Sequence, residues 1–455
     1  MGSLIRSSAA AVAVTAAVLV TGGPSAGAIT PPEVDADATP PSSSAAVVPM
    51  TQRNPCVTTG VLPGSDVAAP SPNQLSLGLA EARRHSDGRD QLVAVIGTGV
   101  TPGPRLPNVD PGGDYVGSGD GLTDCDGHGT LVAGLIAGQP GEDGFSGVAP
   151  AARILAIRQG SPRYSPSDPG EDPALTRATA EIRALARAVV RAADAGARVI
   201  TVSNPVCIPA AAQIDQSELG AALRYAAVDK DAVIVAAAGD TDGLSGCRSN
   251  PLGDPAQPSD PRNWSGVTDL SVPAWWQQYV LSVGSLAPDG RASSFTMAGP
   301  WVGIAAPGED VVSVGNDEAG GPVNALPGNE QQLVPVGGTG YASAYVAGTA
   351  ALVRSRFPDL TAPQVIERLT ATASGAARSP SNLVGAGTVD PVAALTWTVP
   401  ATDVDPAAVR EVAAPRTDEP AELLPRIVAF TGAGALALAV LVVVGLRAKR
   451  KDSQS

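Results

Sequence analysis

The sequence predicts an α/β fold with a mainly parallel central sheet. Three observations carry that expectation: short unbroken runs of β-branched and small apolar residues, helical-period segments alternating with them, and a glycine-rich turn opening an alanine-rich helix. Continuous apolar runs suit strands covered on both faces, and their alternation with helices calls for parallel pairing with helices on either side.

Taken in order, residues 75–84 suit a short helix. Leu92-Val93-Ala94-Val95-Ile96 reads as a central strand ending at Gly97-Thr98-Gly99-Val100. Functional groups gather at the C-terminal ends of such strands. Asp124-Cys125-Asp126-Gly127-His128-Gly129-Thr130 leads into a helix of small residues over 131–138, with His128 at its beginning. Residues 148–150 turn into a strand at 153–157, and the Pro/Ser/Asp-rich stretch 160–172 reads as a surface loop. Over 175–195 apolar residues recur at helical spacing, with Arg183, Arg187 and Arg191 on one solvated face. A strand at 199–203, a helix at 219–229 and a strand at 232–238 follow, the last running into Gly239-Asp240. After a strand at 279–284, a hairpin turn at Pro288-Asp289-Gly290 and the segments 294–296, 301–308 and 311–314 suggest a more antiparallel region. Helices after Gly340 and over 362–370 complete the domain near Ala394.

With 455 residues, 44% of them hydrophobic, the chain supports one large domain with appendages. Residues 1–28 carry Arg6, an apolar run and a small-residue ending, the pattern of a secretory signal peptide. Residues 29–74 form an N-terminal extension whose first part, 29–48, is expected to be a disordered leader. The domain proper takes 75–399. Residues 400–426 make a Pro- and acid-rich stalk, and 427–446 are uncharged and long enough for one transmembrane helix. Arg447, Lys449, Arg450 and Lys451 in the tail 447–455 put that tail in the cytoplasm and the large domain outside the cell membrane.

An oxidising exterior suits the four cysteines. Of three possible pairings, Cys56–Cys125 and Cys207–Cys247 are favoured, because the first ties the extension to the domain and the second closes a loop. Each contributes about 3–4 kcal/mol on chain-entropy grounds. Wide cysteine spacing, with His85 and His128 the only histidines, argues against a metal site, and no cofactor is expected. The net charge of −14, without a basic stripe, argues against nucleic acid as a partner.

The chain is organised around Gly337-Gly338-Thr339-Gly340-Tyr341-Ala342-Ser343-Ala344 and the apolar run that follows. Glycines permit a tight turn, Thr339 suits a helix cap, and amides exposed at a helix start suit an oxyanion beside a nucleophile. Gly340 is best placed to carry that nucleophile. It has no side chain.

These stretches together resemble a known family. Val95-Ile96-Gly97-Thr98-Gly99-Val100, Asp126-Gly127-His128-Gly129-Thr130, Val235-Ala236-Ala237-Ala238-Gly239-Asp240 and Gly338-Thr339-Gly340-Tyr341-Ala342 stand in the order of subtilisin-type serine peptidases, or subtilases. The signal peptide, cysteine-bearing extension, stalk, single span and basic tail resemble the mycosins, membrane-anchored subtilases of type VII (ESX) secretion systems. The resemblance implies a subtilisin-like three-layer fold with one C-terminal transmembrane helix, and partners among the secretion membrane complex and its secreted peptide or protein substrates. It also implies Asp, His, Asn and Ser at four landmarks. Here they are Gly97, His128, Asp240 and Gly340.

Serine attacks the scissile carbonyl, aspartate orients the histidine, and asparagine donates to the oxyanion. The sequence therefore predicts an inactive relative supporting a secretion complex. Alternatives are an active peptidase using displaced groups, such as His128 with Ser343 or Asp240, and a peptide-binding module. Sedolisins, which are related, carry aspartate in place of the asparagine yet keep the serine. Ser343 is expected to be a packing residue, Ser203 a substrate-cleft wall, and Asp124 and Asp126 helix-capping groups. Many subtilases bind calcium, but no contiguous ligand loop is visible.

Overall fold

Nine strands form the central sheet: β1 (Leu92–Gly97), β2 (Val109–Asp114), β3 (Arg153–Arg158), β4 (Val199–Val202), β5 (Val233–Ala237), β6 (Val280–Leu286), β7 (Val302–Pro307), β8 (Ser374–Gly375) and β9 (Gly387–Thr388). This computed structural model describes residues 29, 33–242, 246–253, 257–328, 332–376 and 380–399. The strand order is β8-β9-β7-β6-β5-β4-β1-β3-β2, and every pairing is parallel except β8 with β9. Five helices position the site: α1 (His128–Ala137), α2 (Pro173–Asp194), α3 (Ser217–Arg224), α4 (Thr339–Arg356) and α5 (Ala362–Ala371).

Strand period explains why both faces are covered. Val93 and Val95 join one core with α1, α4 and α5, whereas Ala94 and Ile96 join a second with α2 and α3. Successive residues of β4 and β5 divide the same way, so an unbroken apolar run serves two cores at once. The result is the three-layer α/β arrangement expected. Helix α4 is buried from Thr339 through Arg354 and is built largely of small residues, which let it lie close against the strands. A Cβ added at Gly348 would fall 2.6 Å from Val148 Cβ.

Several expectations need correction. The expected hairpin turn at 288–290 forms, with Leu286 bridging Ala292 antiparallel, but the longer strands after residue 279 are parallel: β6 pairs with β7 in parallel, and antiparallel pairing falls to β8 with β9 at the sheet edge and to small ribbons such as Ser313–Val314 with Pro322–Val323. Strand β2 went unpredicted because its sequence, Val-Asp-Pro-Gly-Gly-Asp, carries turn residues; the pairing shifts register between Pro111 and Gly113. The expected helix at 75–84 is two, Pro72–Ser76 and Leu79–His85, parted at Gly78, whose φ of 59° is left-handed. The leader is not loose from residue 33 onward: Val34 and Val47 pack against the core beside α2 and α3, and Pro40 is buried.

Both favoured disulfides form, Cys56–Cys125 and Cys207–Cys247. Residues Met1–Arg410 and Glu411–Ser455 divide into two units, the second wholly outside the described residues. The expected signal peptide, stalk, transmembrane segment and tail also lie outside them. Among the described residues no helix is long and apolar enough to cross a membrane.

Because α4 touches Val148 without space for a methyl group, Gly348→Ala should lower the unfolding free energy by about 1–3 kcal/mol. Urea denaturation with an unchanged m-value is the check; equal midpoints would show that the contact yields freely.

Candidate functional site

The four landmarks meet at the C-terminal ends of β1, β4 and β5, against the starts of α1 and α4. Gly97 ends β1, His128 opens α1, Asp240 follows β5, and Gly340 is the second residue of α4. A Cβ at Gly340 would lie 2.5 Å from the Ser203 carbonyl oxygen, 2.9 Å from His128 Cε1 and 3.0 Å from His128 Nε2. A Cβ at Gly97 would lie 2.9 Å from Ser203 Oγ. The positions are thus neighbours around Ser203, and the space a side chain would need has closed.

His128 is held by a residue the sequence reading passed over. Its Nδ1 is 3.0 Å from Tyr341 Oη, with the rings 4.7 Å apart and tilted 48°. Tyr341 thereby contacts the nitrogen an orienting carboxylate would address. Burial pushes the Tyr341 phenol up and the negative charges of Asp124 and Asp240 reinforce this, so it stays neutral. Burial pushes the His128 imidazole down to about 4. Nε2 is buried without a hydrogen-bond partner among the described residues. It faces the bare Cα of Gly340.

Asp240 lies where an oxyanion donor would be needed. Its Oδ1 accepts from the Thr339 amide at 2.8 Å, and the Thr339 hydroxyl bonds it as well. The Thr339 N–H at the start of α4, expected to be open to a ligand anion, is spent on the chain's own carboxylate. Nor is Thr339 the cap: Gly338 takes that place, and the Thr339 hydroxyl accepts from the Gly239 amide at 3.1 Å, tying β5 to α4. Burial pushes Asp240 up to about 6, aided by the Asp242 carboxylate. The Cys207–Cys247 bridge packs beneath this corner, its two sulfurs 3.3 and 3.0 Å from where a Gly239 Cβ would be.

The remaining candidates fall into structural places. Ser343 Oγ donates to the Gly340 carbonyl at 2.7 Å and lies 3.4 Å from Thr201 Oγ1, fully buried behind the site. Ser203, expected as a substrate-cleft wall, is 2% exposed and lies between Gly97 and Gly340. Asp124 accepts from the amides of Asp126, Gly127 and Thr130 and from the hydroxyls of Thr98 and Thr130. It fixes the start of α1, and burial pushes it up to about 6 against all those donors. Asp126 accepts from Ser161 Oγ at 2.5 Å and lies 3.5 Å from Arg163 Nε. His85 is remote, beside Glu81 on its own short helix. Among the described residues no group of three or more His, Cys, Asp or Glu side chains is arranged to hold a metal ion.

A family model described as the subtilase family matches residues 88–387. The chain belongs to the subtilases. Mycosin-3 of Mycobacterium tuberculosis (strain ATCC 25618 / H37Rv) is 57% identical over 452 residues, 98% of this chain and 97% of that relative, which places this subtilase among the mycosins. The solved MycP3 protease from the type VII (ESX-3) secretion system shares 65% identity at a TM-score of 0.79, covering 81% of this chain and all of that one. A chain of an intact ESX-5 inner membrane complex shares 44% identity at a TM-score of 0.79, covering 91% of this subtilase and 99% of that chain.

Two outcomes follow from the charge pattern. A carboxyl raised in the fold stabilises it fully below its ordinary value of 3.8, and that contribution is lost as pH climbs through about 6. Asparagine does not titrate. The stability of Asp240→Asn relative to the parent should therefore rise by on the order of 2 kcal/mol between pH 4 and pH 7, read from melting curves. Parallel pH profiles would contradict the burial of that charge. Tyr341→Phe strands Nδ1 and should destabilise by about 1–3 kcal/mol. Its second readout is the His128 ring resonance, one of two histidine signals, which should shift or broaden as the imidazole loses its fixed orientation.

Proposed function

We propose that this mycosin-type subtilase is a non-hydrolytic component of a type VII secretion membrane complex, held outside the cell membrane by residues 400–446 and acting through its surface. Gly340 carries the reading: at the point faced by His128 Nε2 there is no hydroxyl to attack a carbonyl. In subtilisin, removing the nucleophile lowers kcat about 10⁶-fold and leaves only about 10³–10⁴ over water. The oxyanion side fares no better. A missing donor costs about 10²–10³, and an ionised Asp240 opposes the negative charge that a tetrahedral intermediate would develop.

The displaced-group alternative finds no support in the geometry. Ser343 faces the Gly340 carbonyl rather than a cleft, and Asp240 is engaged with Thr339. The ESX-5 inner membrane complex contains a relative with nearly this chain's full length, which supports membership in such an assembly without requiring chemistry.

The purified protein should show no labelling by a serine-directed fluorophosphonate, and an adduct mapped to any serine would refute the proposal. Gly340→Ser alone should stay unlabelled and lose about 1–3 kcal/mol of stability, since its Cβ must displace the Ser203 backbone. In a strain lacking the gene, secretion should be rescued equally by the parent and by a Gly97→Asp, Asp240→Asn, Gly340→Ser variant. Rescue by the triple variant alone would mean that the pathway needs hydrolysis.

A further inference from the structure

Helix α2 presents two unlike faces. Ala178, Ile182, Leu185 and Val189 are buried in the core it shares with the sheet. Leu175, Thr179, Arg183, Arg187 and Arg191 follow one another at four-residue steps, so they form one ridge, and none of them is buried. Towards the N-terminal end of the ridge, Leu175 and Thr179 line a mostly apolar cavity of about 320 Å³ with Ala180, Val47 and Val48, and Arg183 borders it. Leu175 is 42% exposed.

The charge on this ridge is unanswered. Other arginines close on carboxylates, as Arg84, Arg105, Arg177 and Arg224 do on Glu81, Asp143, Glu181 and Asp229. Arg183 and Arg187 have no hydrogen-bond or ion-pair partner among the described residues, and Arg191 reaches only the Gly112 carbonyl at 3.2 Å. Asp215 feels the Arg183 charge but accepts from the Ser217 amide. Tyr115, near enough to feel Arg187 and Arg191, is 3% exposed, and its Oη is buried without a partner among the described residues, as is Arg187 Nε. Donors left open at that depth call for an acceptor. In a chain of net charge −14 the row is a local reversal of sign.

We infer that this face of α2 docks an acidic segment of a partner protein, with one leucine-sized side chain in the cavity and carboxylates at alternate positions meeting Arg183, Arg187 and Arg191. The spacing agrees: ridge neighbours lie about 6 Å apart along the helix, and alternate residues of an extended chain about 6.7 Å. Concavity decides against a membrane surface, which takes apolar groups that protrude, whereas a cavity takes an inserted anchor. The inference rests on the reading that this subtilase acts through its surface in a secretion complex, and it names one such surface.

The probe is a fluorescent acetylated peptide, Leu-Ser-Asp-Ser-Asp-Ser-Asp-amide, added to the full chain. Saturable anisotropy binding with a Kd below about 1 mM is expected, weakened about tenfold by Arg183→Glu and equally by serine in place of the peptide's leucine. Thr179→Trp, which fills the cavity, should match the loss of the leucine. No saturable binding, or equal binding to the parent and Arg183→Glu, overturns the inference. So does flotation with phosphatidylglycerol vesicles that Arg183→Glu abolishes while the peptide fails to bind. Arg183 is exposed and unpaired, so its reversal should leave the melting curve unchanged; if it does not, Arg183→Gln takes its place. In the strain lacking the gene, Arg183→Glu should lose the rescue of secretion that the parent gives at equal protein level. Full rescue by Arg183→Glu refutes docking at this face and leaves the non-hydrolytic reading standing, since that reading fails only on a serine adduct or on rescue by the triple variant alone.

Discussion

The site depends on how closely the first turn of α4 is pressed onto the ends of β4 and β5. Gly340 sits against the Ser203 carbonyl, Thr339 ties to Gly239, and Asp240 takes the Thr339 amide. These contacts are made by backbone and by neighbours of the landmark positions. That is why the architecture persists without the side chains around which such a fold is usually described. The small-residue packing that seats the helix does not depend on a side chain at position 340.

Charge has been redistributed at the same corner. A functional subtilase site gathers a carboxylate behind its histidine and donors around a developing anion. Here a neutral phenol stands behind the histidine, and a carboxylate stands among what would be the donors. Each exchange opposes acyl transfer for its own reason: imidazolium loses its counter-charge, and the oxyanion meets a like charge. Asp124, buried with five donors around it, is held by hydroxyls and amides and not by a cation.

Much of this was legible in the chain. The β1, β4 and β5 runs are apolar throughout because both faces are covered, and the glycine-flanked landmarks mark where strands end. Other features were hidden for physical reasons. Strand β2 is written in Pro and Gly, so local propensity pointed to a turn and only pairing with β3 makes it extended. The turn after β6 is a true one, the Ala287 amide reaching the Arg291 carbonyl and Leu286 bridging Ala292, but it leads into a crossover that lays β7 parallel to β6, a pairing no local signal shows. Tyr341 looked like one more apolar residue of a buried helix, and nothing along the chain shows that its hydroxyl meets a histidine 213 positions away. A phenol adjacent to Gly340, the glycine facing His128, was the available clue. The extension misled through its composition: polar and proline-rich, it nonetheless gives up Val34 and Val47 to the core beside α2 and α3.

The Cys56–Cys125 bridge spans 69 residues and joins a surface arm to the loop that presents His128. A backbone nick anywhere inside that covalent ring leaves the two pieces fastened to each other. Trimming enzymes can shorten the arm from its free end, yet they cannot shed its inner portion by one scission unless a reductant arrives as well.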